Sequence, residues 1–484
     1  MAGLDAIVIG AGFGGLAAAI KLKRAGFGRL AVLEKAGRLG GTWRDNTYPG
    51  AACDVPSRLY SYSFALNPNW SRAYSGQVEI QQYMEDVADR FGVRSMIRFN
   101  AEVARADWAE AGKVWRVTLV NGETLEAPVL VSALGQLNRP SFAGIPGRET
   151  FKGESWHSAR WNHEVDLSGK TVACIGSGAS AIQYIPEVAK TAGKVLIFQR
   201  TPNYIIPRLD KPTPDWLRRL YKAVPLVDRI FRFTIWQMMD LRFRAFKRDT
   251  PAAEGFRKLA TGYLERQIAD PELRAKLTPD YPIGCKRILI SDDYYQALNR
   301  DNVELITEAV SEITPKGVKT ADGTEHACDA IVYGTGFDTT HFLAPLEIHG
   351  VGGWTLTEAW KDGAEAYLGV TVSGFPNLFM LYGPNTNLGH NSIIVMLEAQ
   401  ADYIVQCLRE LRRRKARALD VKPAAQSDFN VQLQKDLEAT AWAGECSSWY
   451  KTASGKITNN WSDDTAAYRK RTARPAFEDY AFAA

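Results

Sequence analysis

Two short glycine turns carry the first chemistry in this 484-residue chain. In "AIVIGAGFGGLAAAIKL", Gly10, Gly12 and Gly15 stand between an apolar strand and an apolar helix. That is the order of a nucleotide-binding βαβ unit: the glycines give a tight turn, a close approach of backbone to pyrophosphate and a close helix-strand contact, and the helix N-terminus faces the phosphates. The next strand, "LAVLE", ends in Glu34, 19 residues after Gly15. A carboxylate there holds a ribose diol and repels a 2′-phosphate, so this site suits FAD or NAD rather than NADP.

The second turn lies in "KTVACIGSGASAIQYI", where Gly176, Gly178 and Ala181 make the GxGxxA form and Ser180 stands within the turn. Its following strand, "KVLIFQRT", ends in Arg200 and Thr201. A guanidinium offers a planar donor fork to a phosphate dianion, so the second site prefers NADPH to NADH. With one site for each nucleotide, hydride passes from nicotinamide to flavin, and the reduced flavin must then pass its electrons on. The six cysteines include no CxxC or CxxxxC pair. They read as reduced thiols of a cytoplasmic protein, with neither a metal site nor a flavin-disulfide pair. Molecular oxygen is then the expected acceptor.

The elements that must position these residues come in a broken order. "VLVSALGQLNRPSFAGIPG" and "DAIVYGTGFD" each read as a buried strand running into a crossing between domains. The fold expected is α/β, with two Rossmann-like dinucleotide-binding domains and a helical insertion. A FAD part spans 1–138, an NADPH part 139–204, a helical insertion 205–280, a second NADPH part 281–330, and a returning FAD part with the C-terminal region 331–484. The insertion lacks strand signals and has apolar residues at three and four spacing. It is expected to leave the NADPH domain and shape the substrate entrance. Its stretch "RIFRFTIWQMMDLRFRAFKR" is basic and aromatic, compatible with a membrane surface and, in the reading favoured here, with packing on its own domain while the arginines reach outward.

Composition excludes several other classes. The balance of 59 Lys+Arg against 54 Asp+Glu gives +5, spread along the chain and too mild for nucleic acid. The apolar and charged fractions, 46% and 23%, are those of a globular protein. "MAGLDAIVIG" enters a strand at once, leaving no room for a signal peptide. No apolar run reaches the roughly 18 residues of a membrane span.

Between the two turns lies "FKGESWHSARWN", with Phe151, Gly153, His157 and Trp161 in the pattern FxGxxxHxxxW and Asn162 where that pattern usually ends in Pro or Asp. This resembles the fingerprint of type I Baeyer-Villiger monooxygenases. "GGTWRDNTYPGAACD" matches a further pattern of the same family through Gly41, Trp43, Tyr48, Pro49, Gly50 and Asp54. "YGPNTNLGHNS" and "SSWYKTASGKITNNW" also look like this family, near its 4-hydroxyacetophenone monooxygenase branch but without the extra N-terminal domain of some members.

The resemblance implies that NADPH reduces FAD, that the reduced flavin captures O2 as a C4a-peroxide, and that this peroxide attacks a ketone to leave an ester or lactone. It implies a catalytic Arg287 in "GCKRILISDDYY" with Asp54 as its partner, because an anion forming in a site that excludes water needs a fixed positive charge. It gives Lys286 to the NADPH 2′-phosphate beside Arg200 and Thr201; in an extended segment Lys286 and Arg287 would face opposite ways. Gly41, Thr42 and Trp43 join the cofactor-binding residues, and Trp449 matches a tryptophan that closes over the nicotinamide. Phe151 to Asn162 is expected to act as a hinge strap between domains. A flavin-containing N- or S-oxygenase and an NADPH oxidase or reductase remain the alternatives. The protein is expected to be a monomer or homodimer acting on a small ketone and O2.

Overall fold

The computed structural model describes residues 3–444, 446, 450–452 and 454–484. Two five-stranded parallel sheets organise the chain. The first runs, in spatial order, through Ile97–Arg98, Leu30–Leu33, Ala6–Ile9, Leu130–Ser132 and Leu378–Met380. The second runs through Val303–Ile306, Lys194–Phe198, Thr171–Ile175, Ala330–Tyr333 and Glu154–His157. Every pairing within both is parallel. Their central strands are near-continuous apolar runs because helices and loops cover both faces. Ala6–Ile9, Leu30–Leu33, Leu130–Ser132 and Ala330–Tyr333 are buried throughout.

The chain leaves the first sheet after Ser132 and returns to it only at Leu378, with the whole second sheet between. Its strand Ala330–Tyr333 carries the second sheet three residues beyond the division expected at residue 330. The two crossings lie side by side. Ser141 N–H donates to Gly336 O at 2.9 Å, Asp338 N–H donates to Arg139 O at 2.9 Å, and Arg139 pairs with Asp338 at 2.9 Å. A three-stranded antiparallel ribbon, Val310–Thr314, Gly317–Thr320 and Glu325–Ala327, comes after the second sheet's edge strand.

The helical segment consists of Asp215–Ala223, Pro225–Leu241, Pro251–Gln267 and Pro271–Leu277. Proline opens the last three, where a missing N–H costs nothing and the fixed φ suits the first turn. The expectation that this segment belongs with the NADPH part is corrected for its long helix Pro225–Leu241. Asp228 pairs with Arg58 at 2.7 Å in the protein interior. Asp240 accepts from Thr465 N–H at 3.1 Å, Thr465 Oγ1 at 2.7 Å and Asn391 Nδ2 at 2.6 Å. Ile235 and Met239 pack on Leu59 and Val395. These contacts lie on the first-sheet side, and no sequence adjacency signals them.

The cysteine expectation is also corrected: Cys285 and Cys446 form a disulfide across 161 residues. Packing of the Gly284 turn against Ala441 brings them together, which spacing along the chain cannot reveal. Cys53, Cys174, Cys328 and Cys407 are free. Among the described residues no helix is long and apolar enough to cross a membrane, and no cluster of potential metal ligands occurs.

Candidate active site

Both glycine turns open on one cavity of about 950 Å³. Gly10, Gly12, Glu34, Gly41, Thr42, Trp43 and Asp54 line it from the first-sheet side, and Gly176, Gly178, Ser180, Arg200, Thr201, Lys286 and Arg287 from the second. Gly15 and Ala181 stand behind the wall. A Cβ at Gly15 would overlap the carbonyl oxygen of Gly10, so the helix Phe13–Arg24 lies against the turn as the motif requires. Trp449 lies outside the described residues. The helical segment contributes no described residue to the cavity wall. The strand-end and loop around Leu381, Tyr382, Asn387 and Leu388 line it as well.

Glu34 is 4% exposed and firmly held. It accepts from Ala11 N–H and Ala36 N–H, both at 3.0 Å, and from Arg44 Nη1 at 2.7 Å. A carboxylate has about four lone-pair directions, so one remains for a ligand hydroxyl. The second unit ends differently. Arg200 is exposed, and burial together with the nearby Arg200 charge lowers the Lys286 pKa. The Lys286 ammonium lies 4.8 Å from the centroid of the Tyr281 ring. Neither cation has a carboxylate in ion-pair range among the described residues, so the two suit an incoming phosphate. The segment bends at Lys286 rather than continuing as a strand, and both Lys286 and Arg287 face the cavity. Their partners differ: Lys286 lies against Tyr281 and near Arg200, whereas Arg287 reaches Asp54.

Arg287 and Asp54 meet across the two halves. Arg287 Nε donates to Asp54 Oδ2 at 3.0 Å, and its Nη2 donates to the same oxygen. The two side chains are 29% and 28% exposed, open enough to meet a ligand while shielded from bulk water. The Asp54 charge raises the Arg287 pKa further above its already high value. Burial pushes the Tyr450 phenol up to about 12 and raises that of Tyr382 too, so both stay protonated beside the guanidinium. The arrangement presents a permanent cation, held by one carboxylate, to the wall of a cavity able to hold two nucleotides. The glycine turns, the carboxylate with a spare lone pair and the two unpaired cations together fit FAD on the first side and NADPH on the second.

The fingerprint residues stand outside the cavity wall. His157 is 2% exposed; its Nε2 bonds Gly336 O at 2.9 Å and its Nδ1 accepts from Ala159 N–H at 3.1 Å. That pattern assigns the proton to Nε2, and burial lowers the imidazole pKa to about 4. Phe142 and Phe337, one from each crossing, flank the ring at 5.5 Å. The imidazole thus braces the Gly336 backbone, which does line the cavity. Trp161 packs on Trp156 and Tyr184. Phe151 packs at the edge of the core around Tyr333, and a Cβ at Gly153 would overlap the Asp329 carbonyl.

Sequence reasoning missed Gln183. Its Oε1 accepts from Tyr48 Oη at 3.0 Å and Ala52 N–H at 3.2 Å, and its Nε2 donates to Ala52 O at 3.0 Å. This staples the "GGTWRDNTYPGAACD" segment to the second unit's helix. The signal was a lone amide in the apolar run "SAIQYI". Arg208, whose Nη2 donates to Cys53 O at 3.1 Å and Tyr74 O at 3.3 Å, was missed as well. Neither cysteine of the disulfide lines the cavity, so it is not placed to take electrons from a flavin there.

Residues 7–221 match the family described as pyridine nucleotide-disulphide oxidoreductase. The chain is 47% identical over 476 residues to a protein of Streptomyces coelicolor named Baeyer-Villiger monooxygenase, covering 98% of this chain and 91% of that one. It superposes with a TM-score of 0.88 on a steroid monooxygenase solved with NADP, at 32% identity and complete coverage of both chains. It superposes equally well, at 30% identity and 99% coverage of both, on the OTEMO structure with FAD and NADP.

Proposed function

This chain belongs to the Baeyer-Villiger monooxygenases, and from that premise we propose which of its residues carry the reaction. It is an FAD- and NADPH-dependent enzyme that inserts one atom of O2 beside a ketone carbonyl to give an ester or lactone. Bound flavin takes hydride from NADPH and activates oxygen.

The residues of the chain bind, orient and stabilise charge. The Gly10 turn and the first turn of Phe13–Arg24 hold the FAD pyrophosphate, and Glu34 accepts a ribose hydroxyl. Gly41, Thr42 and Trp43 close the same side. Gly176, Gly178 and Ser180 hold the NADPH pyrophosphate, while Arg200, Thr201 and Lys286 take its 2′-phosphate. Arg287 supplies a positive charge that stabilises the negative charge developing on the carbonyl oxygen when oxygen adds to the ketone. It stays charged at every working pH, so it contributes electrostatics without a proton-transfer step. Asp54 aims that guanidinium and offsets its desolvation. Phe151, Gly153, His157 and Trp161 form the strap that fixes the two crossings, with His157 neutral and outside the proton inventory. Trp449 is assigned by resemblance to the nicotinamide side.

The observation that carries this reading is the Arg287–Asp54 pair on the wall of the cavity shared by both glycine turns. The test is turnover of the FAD-loaded protein with NADPH, a panel of cyclic and aryl ketones and 18O2. One 18O atom in the ester per NADPH oxidised is the expected result. Hydrogen peroxide as sole product with every ketone would overturn it, and oxygenation of amines or sulfides alone would move the assignment to a heteroatom oxygenase.

A further inference from the structure

The helices Asp215–Ala223 and Pro225–Leu241 pack on one another, with Tyr221 and Phe231 stacked at 6.0 Å. The inward face of the longer helix is accounted for by Asp228, Ile235, Met239 and Asp240. Its outward face is not polar. Leu226, Ile230, Phe233 and Leu241 are 62%, 57%, 56% and 57% exposed and recur at helical spacing along one stripe. Trp216 and Leu220 continue the apolar exposure on the shorter helix, at 66% and 36%. Among the described residues, nine of the sixteen exposed large apolar side chains fall between Trp216 and Leu241. Such concentration marks an interaction surface, since isolated exposed apolar residues would be scattered.

The charges around the stripe are of one sign. Arg219, Lys222 and Arg229 are exposed on the same two helices. Of the three carboxylates there, Asp228 and Asp240 are buried, and Asp215 is paired with Arg218. Beside the longer helix a cavity of about 350 Å³ is lined by four cations, Lys21, Arg229, Arg232 and Arg469, against two carboxylates. Asp402 is paired with Lys21 at 2.8 Å, and Glu398 accepts from Ser63 N–H and Oγ. The three guanidinium groups have no carboxylate in ion-pair range among the described residues. Arg232 is largely desolvated, with its Nε buried and unbonded.

We propose that this helical hairpin is a docking surface for an anionic phospholipid bilayer. An apolar stripe lying at the level of the acyl chains, with cations beside it at the level of the phosphates, is the geometry of an interfacial helix. A second copy of the chain is disfavoured by charge. A twofold contact sets the same patch against itself, bringing Arg219, Lys222 and Arg229 against their own equivalents, whereas an anionic lipid surface neutralises them.

The test is flotation of the FAD-loaded protein with phosphatidylcholine vesicles and with vesicles containing about 30% phosphatidylglycerol. Binding to the anionic vesicles, weakened by salt, with none to phosphatidylcholine alone, is expected. Each cation converted to glutamine should cost about fivefold in affinity, and the triple variant Arg219→Gln, Lys222→Gln, Arg229→Gln roughly a hundredfold. Ile230→Asp with Phe233→Asp should lower binding at least about tenfold. Flavin content and NADPH oxidation must match the unaltered protein in every variant, which separates lost docking from lost folding. Absence from the anionic vesicle fraction overturns the proposal. So does binding that these variants leave unchanged, or a solution dimer that Phe233→Asp converts to monomer, which would give the face to a second copy.

Discussion

The two glycine units share a backbone and differ in the residues that their second strands deliver. Gly10 and Gly176 adopt φ of +101° and +104°, and a Cβ at either would lie 2.6 Å or 2.5 Å from a carbonyl oxygen of the strand end beside it, Ala133 or Gly334. The requirement for glycine at this first position is therefore the same in both. At the third position the units part. Gly15 has no room for a side-chain carbon, whereas Ala181 is accommodated and fully buried. The residues after the second strand differ most: Glu34 is fixed by three donors, while Arg200 is exposed and without a described carboxylate. One backbone thus presents a carboxylate preorganised by three donors on the first side. On the second side it presents the exposed Arg200 at the same place.

The sharpest test acts where the halves meet. Replacing Arg287 by alanine should lower the rate of ester formation by about 10²–10³-fold with flavin content unchanged, measured as product per NADPH oxidised; an unimpaired variant would remove the fixed cation from the mechanism. Arg200→Ala addresses the second side. Loss of a charge-assisted contact to phosphate, about 1.5–3 kcal/mol, should raise the KM for NADPH roughly tenfold to a hundredfold and leave that for NADH nearly unchanged. Equal effects on both nucleotides would break the comparison.

The third positions differ in tolerance, and melting temperatures can read it. Gly15→Ala should cost about 1–3 kcal/mol through overpacking and release FAD, while Ala181→Gly should cost only about 1 kcal/mol. Similar losses at both would show that the helices approach their turns equally. The smallest effect belongs to the strap. Burial lowers the His157 pKa from 6.5 to about 4, so the unfolded chain takes up its proton first. This contribution to stability is complete above pH 6.5 and falls as pH drops from 6.5 towards 4. His157→Ala should flatten that window in a melting-temperature profile and divert part of the NADPH consumed to hydrogen peroxide. A fully coupled variant would show that the strap does not govern the domains.

Much of the site was legible because nucleotide binding is local chemistry. A strand, a turn and a helix N-terminus arrive within some twenty residues, so Gly10 to Glu34 and Gly176 to Arg200 could be read directly. Lys286 and Arg287 were singled out only through family resemblance, and the bend at Lys286 was not legible. Gln183 joins residues 131 and 135 positions away, and Cys285 joins Cys446 across 161. No periodicity or spacing encodes such pairs. The helical segment shows the same limit: its helices were evident from their apolar spacing, but its attachment through Asp228 and Asp240 to the first-sheet side was not, nor was its absence from the cavity wall.

By itself the sequence indicated the use of FAD and NADPH, the α/β architecture, the excursion from the first sheet and the family chemistry, because each rests on residues whose roles are set by near neighbours. Tertiary structure alone decided that both turns open on one cavity and that Gln183 staples the segment before Asp54 to the second unit's helix. It also decided that a neutral His157 braces the crossings and that an apolar stripe faces outward. Those outcomes depend on which distant surfaces exclude water together, and burial is a property of the packed chain rather than of any segment in it.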